Sequence, residues 1–173
     1  MDQMSLIEAA VRKGALHRYR IDDLEEGELE ERMLWVRSEV RTFIANQLTP
    51  EQKATVSAAL RRFIVGGHFT VITARCKHKE VQEVGDIREL KGSDLPFVEL
   101  RFKPPPAHLR LFGRFIGRDR LFLTTSGMKT DNQRQLSIPK ERKRCEGIFR
   151  ACNFSDDWVP TRIEDSLSNA TFV

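Results

Sequence analysis

The sequence predicts an α+β fold in which two helices pack on a small antiparallel β-sheet, with a C-terminal helix and an N-terminal helical extension. Two observations predict this fold. Apolar residues recur at helical spacing through residues 36–64, and their period changes to two from residue 97 onward. A length of 173 residues corresponds to about one domain. We therefore divide the chain into an N-terminal extension with an acidic linker (1–31), a folded domain (32–151) and a C-terminal tail (152–173).

Two antiparallel helices are predicted in the first half of the domain, after a short apolar strand over residues 32–36. The first helix is indicated by apolar residues on one face, namely Val36, Val40, Phe43 and Ile44. The second begins at Thr49-Pro50, where Thr49 can cap the helix, Pro50 suits the first turn and Gln52 can reach back. Gly66-Gly67 ends it. The extension is predicted to hold a helix over residues 1–14, and residues 15–31 are mostly polar and are interpreted as a linker.

Three strands are predicted in the second half, over residues 97–103, 109–116 and 120–126, and short or medium links make them an antiparallel meander. Alternation places Val98, Leu100 and Phe102 on one face. The other face carries charged residues: Glu99, Arg101, Lys103, Arg110 and Arg114. With two helices on the apolar face, this basic face is expected to be open to solvent. A last helix is predicted from Pro139.

Charge is unevenly distributed along the chain. The net charge is +4, but residues 97–151 contain 13 Lys and Arg against 5 Asp and Glu. Such a basic half favours a polyanionic partner, with nucleic acid the first candidate, although a solvated basic surface has the same composition. Residues 22–31 are strongly acidic. They are either a solvated linker or a segment that masks the basic face.

Composition also narrows the class of protein. No apolar run approaches the roughly 20 residues that span a bilayer, so no membrane partner is expected. The N-terminus lacks the pattern of a secretory signal. The three cysteines form no C-x-x-C pair, and Cys76-Lys77-His78 has no matching second half of a metal site. These features predict a cytoplasmic protein.

Residues 87–149 resemble the RelE/HigB-like toxin superfamily, especially the phage-derived RelE/ParE-type branch of type II toxin–antitoxin systems. The matching features are Leu90-Lys91-Gly92, Glu99-Leu100-Arg101, Leu109-Arg110-Leu111-Phe112, a turn at Gly117, Gly127-Met128-Lys129-Thr130 and a helix opened by Pro139. With the two preceding helices, the resemblance covers about residues 32–151. It implies a RelE-like fold and a toxin that cleaves mRNA, usually on the ribosome, without a metal or other cofactor. It also implies a cognate antitoxin, often of the helix-turn-helix type.

The chemistry of RNA cleavage selects candidate site residues. Attack of the 2′-OH on the adjacent phosphorus needs a base, positive charge on the phosphorane and an acid for the leaving 5′-oxygen. Arg binds two phosphate oxygens at once and stays charged. The resemblance implies that Arg101, Arg110 and Lys129 line the cleavage site. Further candidates for substrate binding are Lys103, His108, Arg114 and Arg134. His108, Lys129 and Asp131 are rival general bases, and Phe112 is a candidate for stacking on a base.

Two other functions remain open at this point. One is a non-catalytic binding protein on the same scaffold, such as a gyrase inhibitor or a phage regulatory protein. The other is a nucleic-acid-binding protein that does not cleave. Replacing Arg110 with Ala distinguishes the toxin from the first alternative, and RNA binding without product indicates the second.

Overall fold

The computed structural model describes residues 3–12, 15–21, 24–77, 86–92, 96–102, 108–129, 137–152 and 160–173; within these ranges the side chains of Gln3, Met4, Leu6, His108 and Lys129 are not described. The described helices are α1 (Gln3–Arg12), α2 (Ser38–Gln47), α3 (Pro50–Ile64) and α4 (Ile138–Ala151), with a short 3-10 helix at Ile163–Asp165. The strands are β1 (Leu16–Tyr19), β2 (Met33–Arg37), β3 (Phe69–Ile72), β4 (Ile87–Glu89), β5 (Phe97–Phe102), β6 (His108–Gly117), β7 (Arg120–Lys129) and β8 (Ala170–Phe172).

The predicted fold class is wrong, because the strands form one eight-stranded mixed sheet in the order β1-β2-β7-β6-β5-β4-β3-β8. The meander β5-β6-β7 is antiparallel, as are the pairs β1/β2 and β4/β5. However, β2 lies parallel to β7, and β3 lies parallel to both β4 and β8. The N-terminal extension supplies one edge strand and the C-terminal tail supplies the other. Residues 16–19, interpreted from sequence as linker, are therefore part of the sheet.

The sheet is covered by helices on both faces. On one face α2 and α3 pack on alternate strand residues and form the hairpin core, whose members include Val40, Leu60 and Phe63. On the other face α1 and α4 form the terminal-helix core, with Ile7 and Phe149 packed against Trp35, Phe97 and Phe122. The expectation that the second face is fully open is therefore wrong.

The capping residues and the glycine that the sequence assigns to the ends of α3 occupy those positions in the structure. The Thr49 hydroxyl accepts from the backbone N–H of Gln52 at 3.3 Å, and the Gln52 side chain accepts from the backbone N–H of Thr49 at 3.0 Å. This capping box satisfies two N–H groups that the helix itself leaves unbonded. The chain leaves α3 through Gly66, whose φ of +76° is in the region that favours glycine.

Arg32 joins three separate parts of the fold. Its side chain is fully buried and makes an ion pair with Asp119 at 3.2 Å, in the β6–β7 turn. It also donates to the carbonyl oxygens of Phe63 in the last turn of α3, of Gly67 beyond that helix and of Ser168 before β8. Burial lowers the pKa of Arg32, and the Asp119 carboxylate opposes that shift. The C-terminal tail is thus fastened to the rest of the sheet by a buried charge.

Candidate functional site

Two of the site residues that the sequence singles out, Arg101 on β5 and Arg110 on β6, meet on the second face of the sheet, close to Arg88 on β4. We call Arg88, Glu99, Arg101 and Arg110 the arginine cluster. In the strand register Arg88 lies opposite Glu99, and Arg101 lies opposite Arg110. Two guanidinium groups are therefore placed directly across from each other on neighbouring strands, an arrangement that is unfavourable without a balancing charge.

The balancing charge is Glu99. One carboxylate oxygen, Oε1, lies 3.2 Å from Nε of Arg101 and 3.4 Å from Nε of Arg110. Arg110 also donates through NH1 to the carbonyl oxygens of Phe102 and Leu109, at 3.1 and 2.8 Å. The side chain of Glu99 is 2% exposed, whereas those of Arg101 and Arg110 are 11% and 8% exposed. The cluster therefore pairs two slightly exposed guanidinium groups with one buried carboxylate.

The cluster carries more positive than negative charge. Burial lowers the pKa of Arg110, the Glu99 carboxylate raises it, and the nearby charges of Arg101 and Arg88 lower it further. The four named side chains carry three positive charges and one negative charge. The guanidinium groups near Arg110 would attract an anion that binds beside it.

The backbone places two further candidates at the same end of the sheet. Gly127 lies opposite Arg110 and Lys129 lies opposite His108 at the ends of β6 and β7. The structure thus brings Arg101 and Arg110 to the same end of the sheet as the backbone of His108 and Lys129.

A basic pocket adjoins the cluster at the start of α4. It has a volume of about 220 Å³, and its lining includes Arg88, Lys91, Pro139 and Arg142. Arg142 donates to the carbonyl oxygen of Lys91 at 2.6 Å and pairs with Glu146 at 3.2 Å. The lining also includes one acidic residue, Glu89, and Arg88 belongs to both the pocket and the cluster, so the two adjoin. The first turn of a helix adds backbone N–H groups that favour anions.

Two predicted site residues are in the wrong place for contact with a substrate. Arg114 is 1% exposed and lies under α4, with its guanidinium 4.3 Å from the ring centroid of Phe149 and 5.5 Å from that of Phe97. Phe112 is fully buried in the terminal-helix core and cannot stack on a base. Both corrections have one cause, since α4 covers the half of this face on which these residues lie.

Other predicted residues cannot be placed. Lys103, Asp131 and Arg134 lie outside the described residues, as do the side chains of His108 and Lys129. The acidic segment lies elsewhere: its described carboxylates include Glu30, which pairs with Arg18 at 2.7 Å, and Glu28, which pairs with Arg61. These contacts give no support to masking of the arginine cluster.

Sequence reasoning missed Arg88 and Arg142 as site residues. Arg88 lies in a strand of three residues, which is too short to show alternation, and Arg142 lies in the last helix, outside the strands whose alternation selected the site residues. Among the described residues, no group of three or more His, Cys, Asp or Glu side chains is placed to hold a metal ion. No helix in the described part of the chain has the length and apolarity needed to cross a membrane.

Comparisons with known proteins identify no family for this chain. No family model matches it, and neither the curated proteins nor the solved structures include a significant match.

Proposed function

We propose that the protein is a toxin of a type II toxin–antitoxin system, related to the RelE/HigB-like superfamily, and that it cleaves mRNA at the arginine cluster. In this proposal it acts in the cytoplasm on ribosome-bound mRNA and is neutralised by a cognate antitoxin, of the helix-turn-helix type in many such systems. The resemblance of residues 87–149 supports the identity of the substrate. The geometry of the cluster supports the chemistry.

One observation carries the proposal: Arg101 and Arg110 lie directly opposite each other and share one oxygen of Glu99. A sheet does not need two facing guanidinium groups for stability, and their repulsion makes the arrangement costly. Fixed guanidinium groups are, however, well suited to a phosphodiester, because they need no reorganisation when charge develops on the phosphorane. The basic pocket around Arg88 and Arg142 would hold a neighbouring phosphate of the same RNA strand.

In the proposed mechanism the RNA supplies its own nucleophile. The 2′-OH attacks the adjacent phosphorus, the P–O5′ bond breaks, and the products carry a 2′,3′-cyclic phosphate and a 5′-OH. Arg101 and Arg110 stabilise the phosphorane. His108, Lys129 and Asp131 remain the candidates for the base that takes the 2′-OH proton, and the leaving 5′-oxygen takes a proton from a general acid.

The limited exposure of the cluster favours one alternative, an RNA-binding protein that does not cleave. Side chains that are 11% and 8% exposed can attract a phosphate. They leave the RNA little room, however, to align its 2′-OH with the P–O5′ bond for in-line attack. This alternative predicts binding with a steep dependence on salt concentration and no product.

The test is a reconstituted translation reaction with a defined mRNA. We expect the wild-type protein to cut the mRNA, and Arg110→Lys to lower the rate by about 10²-fold, since Lys keeps the charge but loses the fork that binds two oxygens. Arg118→Lys is the matched control, because that side chain is 72% exposed on the β6–β7 turn. Equal rates for wild type and Arg110→Lys, or no cleavage by the wild type, would refute the proposal.

A further inference from the structure

A second basic cavity lies at the β1 edge of the sheet, away from the arginine cluster. It is an open cleft of about 540 Å³ bordered by α1, β1, α2 and α3, which we call the β1 cleft. This volume is in the range of clefts that bind small molecules. The residues that line it are Val11, His17, Arg18, Tyr19, Arg20, Val36, Arg41, Ile44, Ala45, Lys53 and Ser57.

Basic side chains dominate the polar part of the cleft. Arg41 comes from α2, Lys53 from α3 and Arg20 from the segment after β1, and no acidic residue is among the described lining residues. Arg18 lies opposite Trp35 of the terminal-helix core, on the other face of the sheet, and pairs with Glu30 at 2.7 Å. The remaining cationic groups face a space with no counter-charge from the described part of the wall, which favours an anionic ligand.

The guanidinium of Arg41 is held in place by a short chain of polar contacts. NH1 of Arg41 lies 3.4 Å from Nδ1 of His17, and Nε2 of His17 lies 3.0 Å from the hydroxyl of Ser38. The guanidinium of Arg41 has only donors, so Arg41 donates to the imidazole in this contact. An exposed arginine that contacts a neighbouring histidine has lost part of the side-chain freedom that binding would otherwise have to remove.

The rest of the cleft wall is apolar. Tyr19 and Ile44 are partly buried against the hairpin core, and Val36 is fully buried in it. A cleft of this kind offers a flat, apolar surface beside a cluster of cations. It fits a ligand that combines a phosphate with a ring system better than it fits a bare inorganic anion.

We propose that the β1 cleft binds a nucleoside phosphate, with the phosphate between Arg41 and Lys53 and the base against Tyr19 and Ile44. This site is distinct from the arginine cluster, because Val36 belongs to the hairpin core on the opposite face of the sheet. The inference does not depend on RNA cleavage.

Calorimetric titration of the full chain with each of the four nucleoside 5′-monophosphates tests the site. We expect at least one of them to bind, with an affinity at least about tenfold above those of its nucleoside and of inorganic phosphate. Arg41→Ala is expected to lower the affinity by at least about tenfold. Ala45→Trp, which fills the cleft without changing its charge, should abolish binding. Arg118→Ala should leave binding unchanged, and circular dichroism should show all three variants folded.

Four results would overturn the proposal. The first is that none of the four nucleotides binds. The second is that inorganic phosphate binds as tightly as the nucleotides, since the cleft would then be an anion site alone. The third is that binding survives Ala45→Trp or is weakened equally by Arg118→Ala. Tight binding of a single-stranded RNA that Arg41→Ala weakens, without binding of any mononucleotide, would likewise replace this proposal by an RNA-binding surface.

Discussion

Replacing Glu99 by Gln tests whether one carboxylate holds the arginine cluster together. Glu99→Gln keeps the shape of the side chain and removes its charge from between Arg101 and Arg110. At contact distances of 3.2 and 3.4 Å, each direct attraction amounts to about 5 kcal/mol for an effective dielectric constant of about 20. Desolvation of the buried groups offsets part of this attraction, and removing one partner of a buried pair typically destabilises a protein by about 3–5 kcal/mol.

Urea unfolding and a thermal melt measure this effect. For a chain of this length, a loss of 3–5 kcal/mol corresponds to a decrease in Tm of about 6–20 °C. The matched control is Glu39→Gln, because Glu39 also pairs with an arginine, Arg37, at 2.7 Å but is 57% exposed. Exposed pairs contribute up to about 1 kcal/mol, so the control should melt within a few degrees of the wild type.

A second readout separates a binding site from a purely structural ion pair. In Glu99→Gln no carboxylate of Glu99 competes with an RNA phosphate for the three arginines of the cluster. A short single-stranded RNA should therefore raise the Tm of Glu99→Gln more than that of Glu39→Gln. Equal stability of the two variants would refute the account of the cluster as a buried, balanced charge group. A Glu99→Gln protein that is destabilised but does not respond to RNA would refute its role in binding the RNA backbone.

Three further predictions concern the rest of the fold. Arg32→Met should lower the free energy of unfolding in urea by about 3–5 kcal/mol, because it leaves several carbonyl groups without a donor. A decrease of less than about 1 kcal/mol would contradict the role of Arg32 in fastening the tail. Thr49→Ala should cost about 1 kcal/mol by removing the capping box, whereas Thr55→Ala, on the exposed side of the same helix, should be neutral or stabilising. Burial raises the pKa of Cys145, so less of its thiol is ionised at pH 8 than in an ordinary cysteine. Alkylation of Cys145 by iodoacetamide should therefore be slow at pH 8 and should accelerate only at a higher pH than for a free cysteine. Fast modification of Cys145 in the folded protein at pH 8 would contradict this.

Periodicity was enough to predict the long elements. The α2/α3 hairpin has an apolar stripe, a capping residue and a glycine stop, and each signal is local to the segment it describes. The meander β5-β6-β7 has strands of six to ten residues, long enough for alternation to be visible. For these elements, local preference and the final fold agree.

The size and order of the sheet could not be predicted in the same way. Strands β1, β3, β4 and β8 have three or four residues each, so they show no reliable period. The parallel pairing of β2 with β7 joins segments more than 80 residues apart, and no local pattern encodes it. The sequence analysis therefore found the central strands and missed those at both edges.

Only part of the candidate site was predicted, because burial depends on tertiary packing. Strand alternation correctly put Arg101 and Arg110 on one face, but it treats every charged residue on that face as exposed. Arg114 departs from this rule because α4 covers it with the ring of Phe149, and a buried guanidinium stacked on aromatic rings has the same sequence pattern as a solvated one. What covers a strand depends on tertiary packing, which a period of two does not report.

The chemical identity of the RNA ends tests the central claim most directly. A 5′-labelled mRNA incubated with the protein and ribosomes should yield fragments that end in a 2′,3′-cyclic phosphate, with a 5′-OH on the downstream product. A single 2′-deoxy substitution at the cleaved nucleotide should prevent the cut. Fragments with a 3′-OH and a 5′-phosphate, or cleavage that persists at the 2′-deoxy position, would contradict attack by the 2′-OH at the arginine cluster.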